Sequence, residues 1–587
     1  MARSLPARGF TLRASGYAKA LVVVAVLVCV CGCASSLRQW VRNGFKLGPN
    51  YARPPAPVAP QWVDGGDARV KNDPPADCGW WTVFRDPTLN ALVDMAYRQN
   101  LDLRVAGTRI LEARAQRAIA VGNLFPQSQS ALGAYAHGQI TENLNLPLPG
   151  AFNLWATGLN ASWELDFWGR YRRSVEAANA DWAASVEQYG DTLVLVLSEV
   201  ATSYVELRTF EERLEFARHN VEIQRGSLGL AEDRFNRGLA TELDMRQART
   251  SLAQTESAIP PLEIGRRQAA NRLCILLGMP VGDLAAEFPR SPIPTAPVEV
   301  AVGLPADLLR RRPDVRQAER QVAAQSARIG VAEADLYPRL SLNGFLGYAA
   351  DDIQRLFRAN SFTAFIIPTV RWDVLNYGRI ANNIQTQDAR LQGAALQYQQ
   401  TVLVAGREVE DALTAFLQTQ QQAARLAQSV DEANRSVELV LIQFRGGITD
   451  FNRVFNTQGV LVSQQDQLAV ARGEIALNLI RVYKALGGGW HYFFRGCGMP
   501  AVQAVEVEVV APPAGSAQTA PTDARPGDVP PGAIVAPGVN AAPALPTEAS
   551  PVEGKPEAAP ADAAPAEAKP DAAPVEELPL MPPASDE

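Results

Sequence analysis

Trp163-Glu164-Leu165-Asp166-Phe167-Trp168-Gly169-Arg170 and Trp372-Asp373-Val374-Leu375-Asn376-Tyr377-Gly378-Arg379 are one phrase written twice, 209 residues apart. Each opens on tryptophan, sets an aromatic before the glycine and closes on Gly-Arg. The same offset pairs Tyr189 with Tyr398, Thr192 with Thr401, Glu199 with Glu408, Phe235 with Phe444, and Gly238 with Gly447. Upstream, an offset of 212 pairs Asp102 with Asp314, Ala106 with Ala318, Leu124 with Leu336, and Pro126 with Pro338. Self-similarity on this scale marks a duplicated unit. One repeat spans 88–278 and the other 304–490, with a linker at 279–303. The offset falls by three between the proline and the tryptophan, so the connecting loop there is expected to differ in length between repeats.

Each repeat reads as helix, two strands, long helix, return helix, an α+β unit. The first helix is expected to stop at Pro126 or Pro338, since proline breaks the hydrogen-bond ladder. In the second repeat Leu340, Leu342, Gly344 and Leu346 alternate onto one face, and Phe362, Ala364, Ile366, Pro368, Val370 and Trp372 onto another such set. The first repeat alternates less cleanly, through Gln127–Gly138 and Phe152–Trp163. Stretches of about ten residues suit tilted membrane strands; runs this short suit a soluble hairpin equally well. From Gly169 to Phe235 and from Gly378 to Phe444 there is no proline, and a helix of that length reaches about 100 Å. Return helices are expected at about 242–277 and 452–486. Four strands cannot close a membrane barrel, and lipid does not tolerate open edges. Several chains must therefore pool their strands.

The chain has 587 residues and a net charge of −7. From Ala501 onward 14 acidic and 3 basic residues give −11, while Arg3, Arg8, Arg13 and Lys19 make the first 19 residues +4. The body between is nearly neutral, with no basic face for nucleic acid. The segment 491–587 is rich in Pro, Ala and Glu, a composition that cannot bury a core and is expected to be disordered. At the other end, the apolar run Ala20–Val30 is about 11 residues long, too short to span a bilayer. It closes on Cys31-Gly32-Cys33, which resembles a bacterial lipoprotein signal over 1–32 with Cys33 lipidated; an ordinary secretory signal is the alternative. Ala34 follows Cys33. An aspartate there would retain a lipoprotein in the inner membrane, so this one is expected to move outward, with 33–87 as a lipid-anchored Pro-rich segment.

Cys274 lies in an apolar helical run and reads as a core thiol. Cys78 and Cys497 flank the folded region, either bridged in an oxidising compartment or free. His137, His219 and His491 are scattered without ligand spacing, so no metal site and no cofactor are expected. No phosphate loop, nucleophile elbow or zinc signature occurs, and an enzyme is not expected. Trp163 and Trp372 close their strands, either as membrane-interface anchors or as packing at the junction marked by Gly169-Arg170 and Gly378-Arg379.

Further marks run in order along residues 48–490: Gly48-Pro49-Asn50-Tyr51, Trp80-Trp81, Phe84-Arg85-Asp86-Pro87, Asn100-Leu101-Asp102, Arg312-Pro313-Asp314-Val315 and Gly487-Gly488-Gly489-Trp490. On the duplicated frame they resemble the TolC-like outer membrane factors, in particular the lipoprotein branch of multidrug efflux systems. The resemblance implies a homotrimer with a 12-stranded transmembrane β-barrel, continued by a long periplasmic α-helical barrel. It also implies an outer-membrane location, a periplasmic adaptor and an inner-membrane pump as partners, and a passive exit duct for drugs or other small molecules. Secreted proteins or metal ions are the alternative cargo. A periplasmic coiled coil without a pore is the competing class.

The turns around Gly238 and Gly447 are then the periplasmic tips, where the family closes its duct and meets the adaptor or pump. The chain departs from the family pattern here: Asn456 and Arg453 stand where aspartates are common, and Phe444 and Thr449 where Tyr and Arg serve as latch residues. Asp244 and Arg453 are equivalent positions, near Asp450. Neighbouring tips are expected either to pair Asp244 with Arg453 and hold the duct shut, or to carry both as solvated rim charges. An exposed pair is worth only about 0–1 kcal/mol.

Overall fold

The computed structural model describes residues 40–73, 79–139, 151–282 and 288–490. Cys33, Cys78, Cys497, His491 and the acidic tail lie outside the described residues. After β1 (Val70–Lys71), repeat 1 runs α1 (Pro87–Gln99), α2 (Leu101–Gly122), β2 (Ser128–Gln139), β3 (Ala151–Leu165), α3 (Arg170–Asn236) and α4 (Glu242–Leu276). The linker carries β4 (Val300–Ala301). Repeat 2 runs α5 (Leu308–Arg311), α6 (Pro313–Ala334), β5 (Arg339–Ala350), β6 (Phe362–Arg371), α7 (Arg379–Arg445) and α8 (Phe451–Ala485). Three pairs of corresponding helices are equal in length: 22 residues for α2 and α6, 67 for α3 and α7, 35 for α4 and α8. Their first residues obey the sequence offsets, so the duplication fixes helix boundaries residue by residue. The helices before the strands stop four residues short of Pro126 and Pro338, so each proline sits in the link to the strand rather than ending the helix.

Helix α2 packs on α3, α6 packs on both α3 and α7, and below them α4 packs on α3 and α8 on both α7 and α3. The short helices meet end to end. Asn100 caps α2 by accepting from Leu103 N (2.9 Å) and donates its side-chain amide to Leu276 O at the end of α4 (2.9 Å). The repeat-2 counterpart is Arg312, whose Nη1 reaches Ala485 O at the end of α8 (2.9 Å). One stitch is thus made twice, by different side chains serving the same orphan carbonyl. The core lies at this level. Trp80, Trp81, Phe84, Leu89 and Leu92 meet Leu193, Leu197 and Tyr204 of α3 and Phe416 of α7. Trp80 stacks on Tyr483 of α8. Tyr204 donates its hydroxyl to Asp86 (2.7 Å), and burial, with that carboxylate, pushes its pKa up to about 12. Cys274 is buried and free.

The segment 40–73 lies along this helical layer. Arg173 holds it through Leu47 O and Gly48 O (2.7 and 2.9 Å), and Lys46 pairs with Glu176. Farther on, Val63 N donates to Glu410 and Arg69 to Leu417 O on α7. The segment then pairs β1 in parallel with β4, Val70 opposite Val300.

The four long strands form an antiparallel sheet in the order β2-β3-β5-β6. Its register sorts the side chains. Leu340, Leu342, Gly344 and Leu346 lie opposite Val370, Pro368, Ile366 and Ala364, and β3 adds Leu165, Trp163, Ala161 and Leu159 to the same face. The reverse face is more polar: Ser162 donates to Asn343 Oδ1 (2.8 Å), and Asn343 donates to Thr369 Oγ1 (3.0 Å). Phe345 and Phe365 pair on that face. Over β5, β6 and the adjoining part of β3 one face therefore suits lipid and the other water, whereas β2 and the start of β3 put Gln129, His137 and Asn153 on the first face and Leu132, Phe152 and Leu154 on the second. Strands β2 and β6 are edges with unpaired backbone groups within the chain. The three-residue difference between repeats divides in two. Strands β2 and β5 correspond at an offset of 211, so one extra residue, Gln127, sits between Pro126 and β2, and the other two fall in the hairpin turn. Gln127 imitates a rung: Glu164 N donates to its Oε1 (2.7 Å), and its Nε2 donates to Glu164 O (3.1 Å).

Candidate functional site: strand–helix junctions and hairpin tips

At the two junctions the tryptophans do the same work. Trp163 Nε1 donates to Leu124 O (3.1 Å) and Trp372 Nε1 to Leu336 O (3.0 Å), tying each strand end to the helix before it. Trp163 stands on the face of β3 that Leu342 shares, and Trp372 follows directly after β6. Gly169 and Gly378 start the long helices at φ 82° and 80°, a region that favours glycine. Arg170 pairs with Glu164 and Asp335 (3.5 and 3.7 Å); Arg379 has no such pair among the described residues. The first junction carries an aromatic cluster absent from the sequence reading. Trp168 stacks on Tyr337 (4.5 Å) and donates to Pro338 O, while Trp40 packs on Phe167 and Trp168. At the second junction the equivalent Tyr377 is 99% exposed.

At the tips, Gly238 and Gly447 take φ 71° and 74°. Each ends its long helix by the same closure, Leu239 N to Arg234 O (2.8 Å) and Ile448 N to Gln443 O (3.0 Å). Thr241 and Asp450, again 209 apart, cap the return helices. Asp244 completes a capping box: its Oδ2 accepts from Thr241 N and Oγ1 (2.9 and 2.8 Å). Its Oδ1 accepts from Phe451 N, at the start of α8 (3.3 Å). Within the chain the structure does not bring Asp244 and Arg453 together. The carboxylate is already committed to two helix N-termini, and the Arg453 guanidinium has no hydrogen bond or ion pair among the described residues.

A second tie between the two hairpins, beside the Asp244–Phe451 bond, is Arg234, which sequence reasoning missed. Its Nη1 donates to Phe444 O and Arg445 O (2.6 and 3.2 Å), its Nη2 to Leu239 O (3.3 Å), and its guanidinium lies 4.9 Å over the Phe444 ring. A cation on the last carbonyls of α7 also suits the helix dipole. Phe444 is 2% exposed and meets Phe451 edge-on, with Ala231, Ala248 and Val454 around them. Its counterpart Phe235 is 37% exposed. Thr449 and Asp450 follow in the turn, Asp450 accepting from Arg453 N (3.2 Å). Offset arithmetic could have flagged Arg234, because its counterpart is Gln443 and the two hairpins therefore cannot be held alike.

The model of the Outer membrane efflux protein family matches residues 92–279 and 304–488, both repeats. The chain belongs to the outer membrane efflux protein family. It is 30% identical over 460 residues to the probable efflux pump outer membrane protein SepC of Pseudomonas putida, covering 76% of this chain and 95% of that one. Nodulation protein T of Rhizobium leguminosarum is 30% identical over 451 residues (76% and 95%), and cation efflux system protein CusC of Escherichia coli 29% over 449 (76% and 96%). Among solved structures, the outer-membrane channel OprN superposes with a TM-score of 0.72 at 30% identity, covering 76% of this chain and 99% of that one. CusC superposes at 0.66 with 28% identity, covering 76% and 100%. As a member of this efflux family the chain is an outer-membrane channel component with helices in the periplasm, and not an enzyme. The sheet is then the membrane part, and the tips are the ends of the helical part farthest from it.

Proposed function

We propose that three copies of this chain assemble into a duct through the outer membrane and periplasm. It passively conducts small organic molecules delivered by an inner-membrane pump through a periplasmic adaptor. One observation carries this: a four-stranded sheet with two unpaired edges, sorted into an apolar and a more polar face over β5 and β6, set on helices of 67 residues. Three copies supply twelve strands, which remove every edge. The polar face turns Ser162, Asn343 and Thr369 to the lumen beside Phe345 and Phe365, a lining that suits neutral and amphipathic solutes. TtgF of Pseudomonas putida, a toluene efflux pump outer membrane protein 30% identical to this chain, supports an organic cargo. CusC keeps cations as the second reading.

The N-terminal anchor belongs to the same proposal. Trp40 is packed against Phe167 and Trp168 at the strand–helix junction, where aromatic side chains favour the membrane interface. Cys33 precedes it by seven residues, a reach of at most about 25 Å, so acyl chains on Cys33 would enter the adjoining leaflet. The tips are proposed to close the duct. In this reading Asp244 and Arg234 hold the two hairpins of one copy together, and Arg453 faces the neighbouring copy.

A strain lacking the gene, complemented with the intact gene, is tested with a panel of antibiotics, solvents, metal salts and fluorescent dyes. The expected result is restored tolerance to organic compounds and lowered dye accumulation. Restoration confined to metal salts would move the cargo to cations, and no difference across the panel would reject small-molecule efflux. Palmitate labelling that persists in Cys33→Ala would reject the anchor.

A further inference from the structure

Helices α2, α3, α6 and α7 line a groove of about 530 Å³ just beyond the strand–helix junctions. Its floor is made of small side chains: Ala120 and Ala332, equivalent at the offset of 212, and Ala177, all buried. At the offset of 209 the two long helices have diverged here. Helix α3 brings Ser174, Ala178 and Asp181 to the groove, where α7 brings Asn383, Gln387 and Arg390. Residues three and four apart are neighbours on a helix face, so α7 raises a wall of two amides that ends in a guanidinium. The charges in the groove are unequally engaged. Arg328 pairs with Asp181 (2.6 Å), and Asp335 pairs with Arg339 (2.8 Å). Arg390 is exposed and has no hydrogen bond or ion pair among the described residues.

We infer that this groove is a binding site for an organic carboxylate, with the anion on Arg390 and the Asn383 amide and the apolar body over Ala120, Ala177 and Ala332. A guanidinium meets a carboxylate through two parallel charge-assisted hydrogen bonds, and the alanine floor, flanked by Ile119 and Val331, takes the part of the solute that water holds least well. An organic cation is repelled by the uncommitted charge, and a neutral solute gains the floor alone. The inference rests on the duct proposed above and names a class of solute that its wall selects. Two observations set the groove on the side of the more polar sheet face. Arg339, the partner of Asp335, shares its face of β5 with Asn343. Gln399, nine residues after Arg390 and so half a turn away, donates to Pro55 O of the segment 40–73 (3.3 Å), which therefore runs along the other side of α7. In the proposed duct, a solute moving toward the sheet passes over the groove.

The test photolabels the full-length protein in isolated outer membranes with para-azidobenzoate, para-azidobenzylamine or para-azidobenzyl alcohol, and locates the label by mass spectrometry of peptides. The expected result is labelling of 116–123 and 383–390 by the carboxylate in preference to the amine and the alcohol. Arg390→Gln should lower that label about tenfold, the worth of a hydrogen bond to a charged group, and Arg390→Lys should keep most of it. Asp181→Asn, which frees Arg328, should raise it, a gain that a misfolded protein does not give. Equal labelling by the amine, a label unchanged in Arg390→Gln, or a label confined to other segments overturns the site. The duct is scored separately, by restored tolerance of the deletion strain carrying the intact gene. Label in the groove without restored tolerance keeps the site and rejects the duct, and restored tolerance without label keeps the duct and rejects the site.

Discussion

Among the described residues Arg234 has no carboxylate partner; its guanidinium is occupied by Phe444 O and Arg445 O of the other hairpin and Leu239 O of its own. Removing it leaves the last carbonyls of α7 without those donors, a loss of about 1–3 kcal/mol concentrated at the tip. Arg234→Ala is therefore expected to raise single-channel conductance and the entry of a large antibiotic, while Gln443→Ala does neither; equal behaviour of the two variants would remove the clamp from the gate. In the proposed duct Arg453 faces the seam between copies. Arg453→Asp is expected to increase antibiotic entry through repulsion at the neighbouring tip, and unchanged entry would make it a solvated rim charge. Asp191 on α3 offers a pH handle. Burial, reinforced by Asp314, raises its carboxyl to about 6. A carboxyl raised in the fold favours the native state when protonated. That contribution is complete below about pH 4 and is lost as pH rises toward 6. Asp191→Asn should thus be more stable than the parent at pH 7.5 by about 2 kcal/mol, with the gap closing by pH 4; a gap independent of pH would contradict that ionisation.

Elements were the most legible scale in the sequence. The offsets of 212 and 209 place α2 and α6, α3 and α7, and α4 and α8 in correspondence, with Gly169 copied as Gly378 and the other cap positions kept while their residues changed. The alternating sets in β5 and β6 meet on one face as their two-residue period requires. Less was legible where a side chain serves a backbone group. Gln127 supplies a rung through its amide, and nothing in its neighbours marks it as the inserted residue. Asp244 reads as a free charge opposite Arg453 until Thr241, three residues earlier, is recognised as the other half of a capping box. The end-to-end stitches give an element-scale test. Arg312 is buried and also pairs with Asp314 and Glu408 (2.7 and 2.8 Å). Arg312→Ala strands those partners and should cost about 3 kcal/mol. Asn100→Ala loses a cap and one bond and should cost about 1–2 kcal/mol. Thermal unfolding of the two variants is the check, and equal losses would mean that the stitches, not the charges, dominate.

At the scale of the whole molecule, the fold is complete in its helices and incomplete in its sheet. Trp80, Tyr204, Phe416 and their neighbours give the helical layer a core within one chain, whereas the sheet ends on two open edges. Among the described residues no helix is long and apolar enough to cross a membrane. The incompleteness follows from the duplication: two repeats close one joint inside the chain and expose the two halves of another outside it. Electron cryo-microscopy of the full-length protein in a lipid nanodisc tests this most directly. The expected image has three-fold symmetry, with twelve strands closed into a barrel in the lipid and β6 of each copy paired to β2 of the next. A single copy whose four-stranded sheet stands open, or a barrel closed without those two strands, would contradict it.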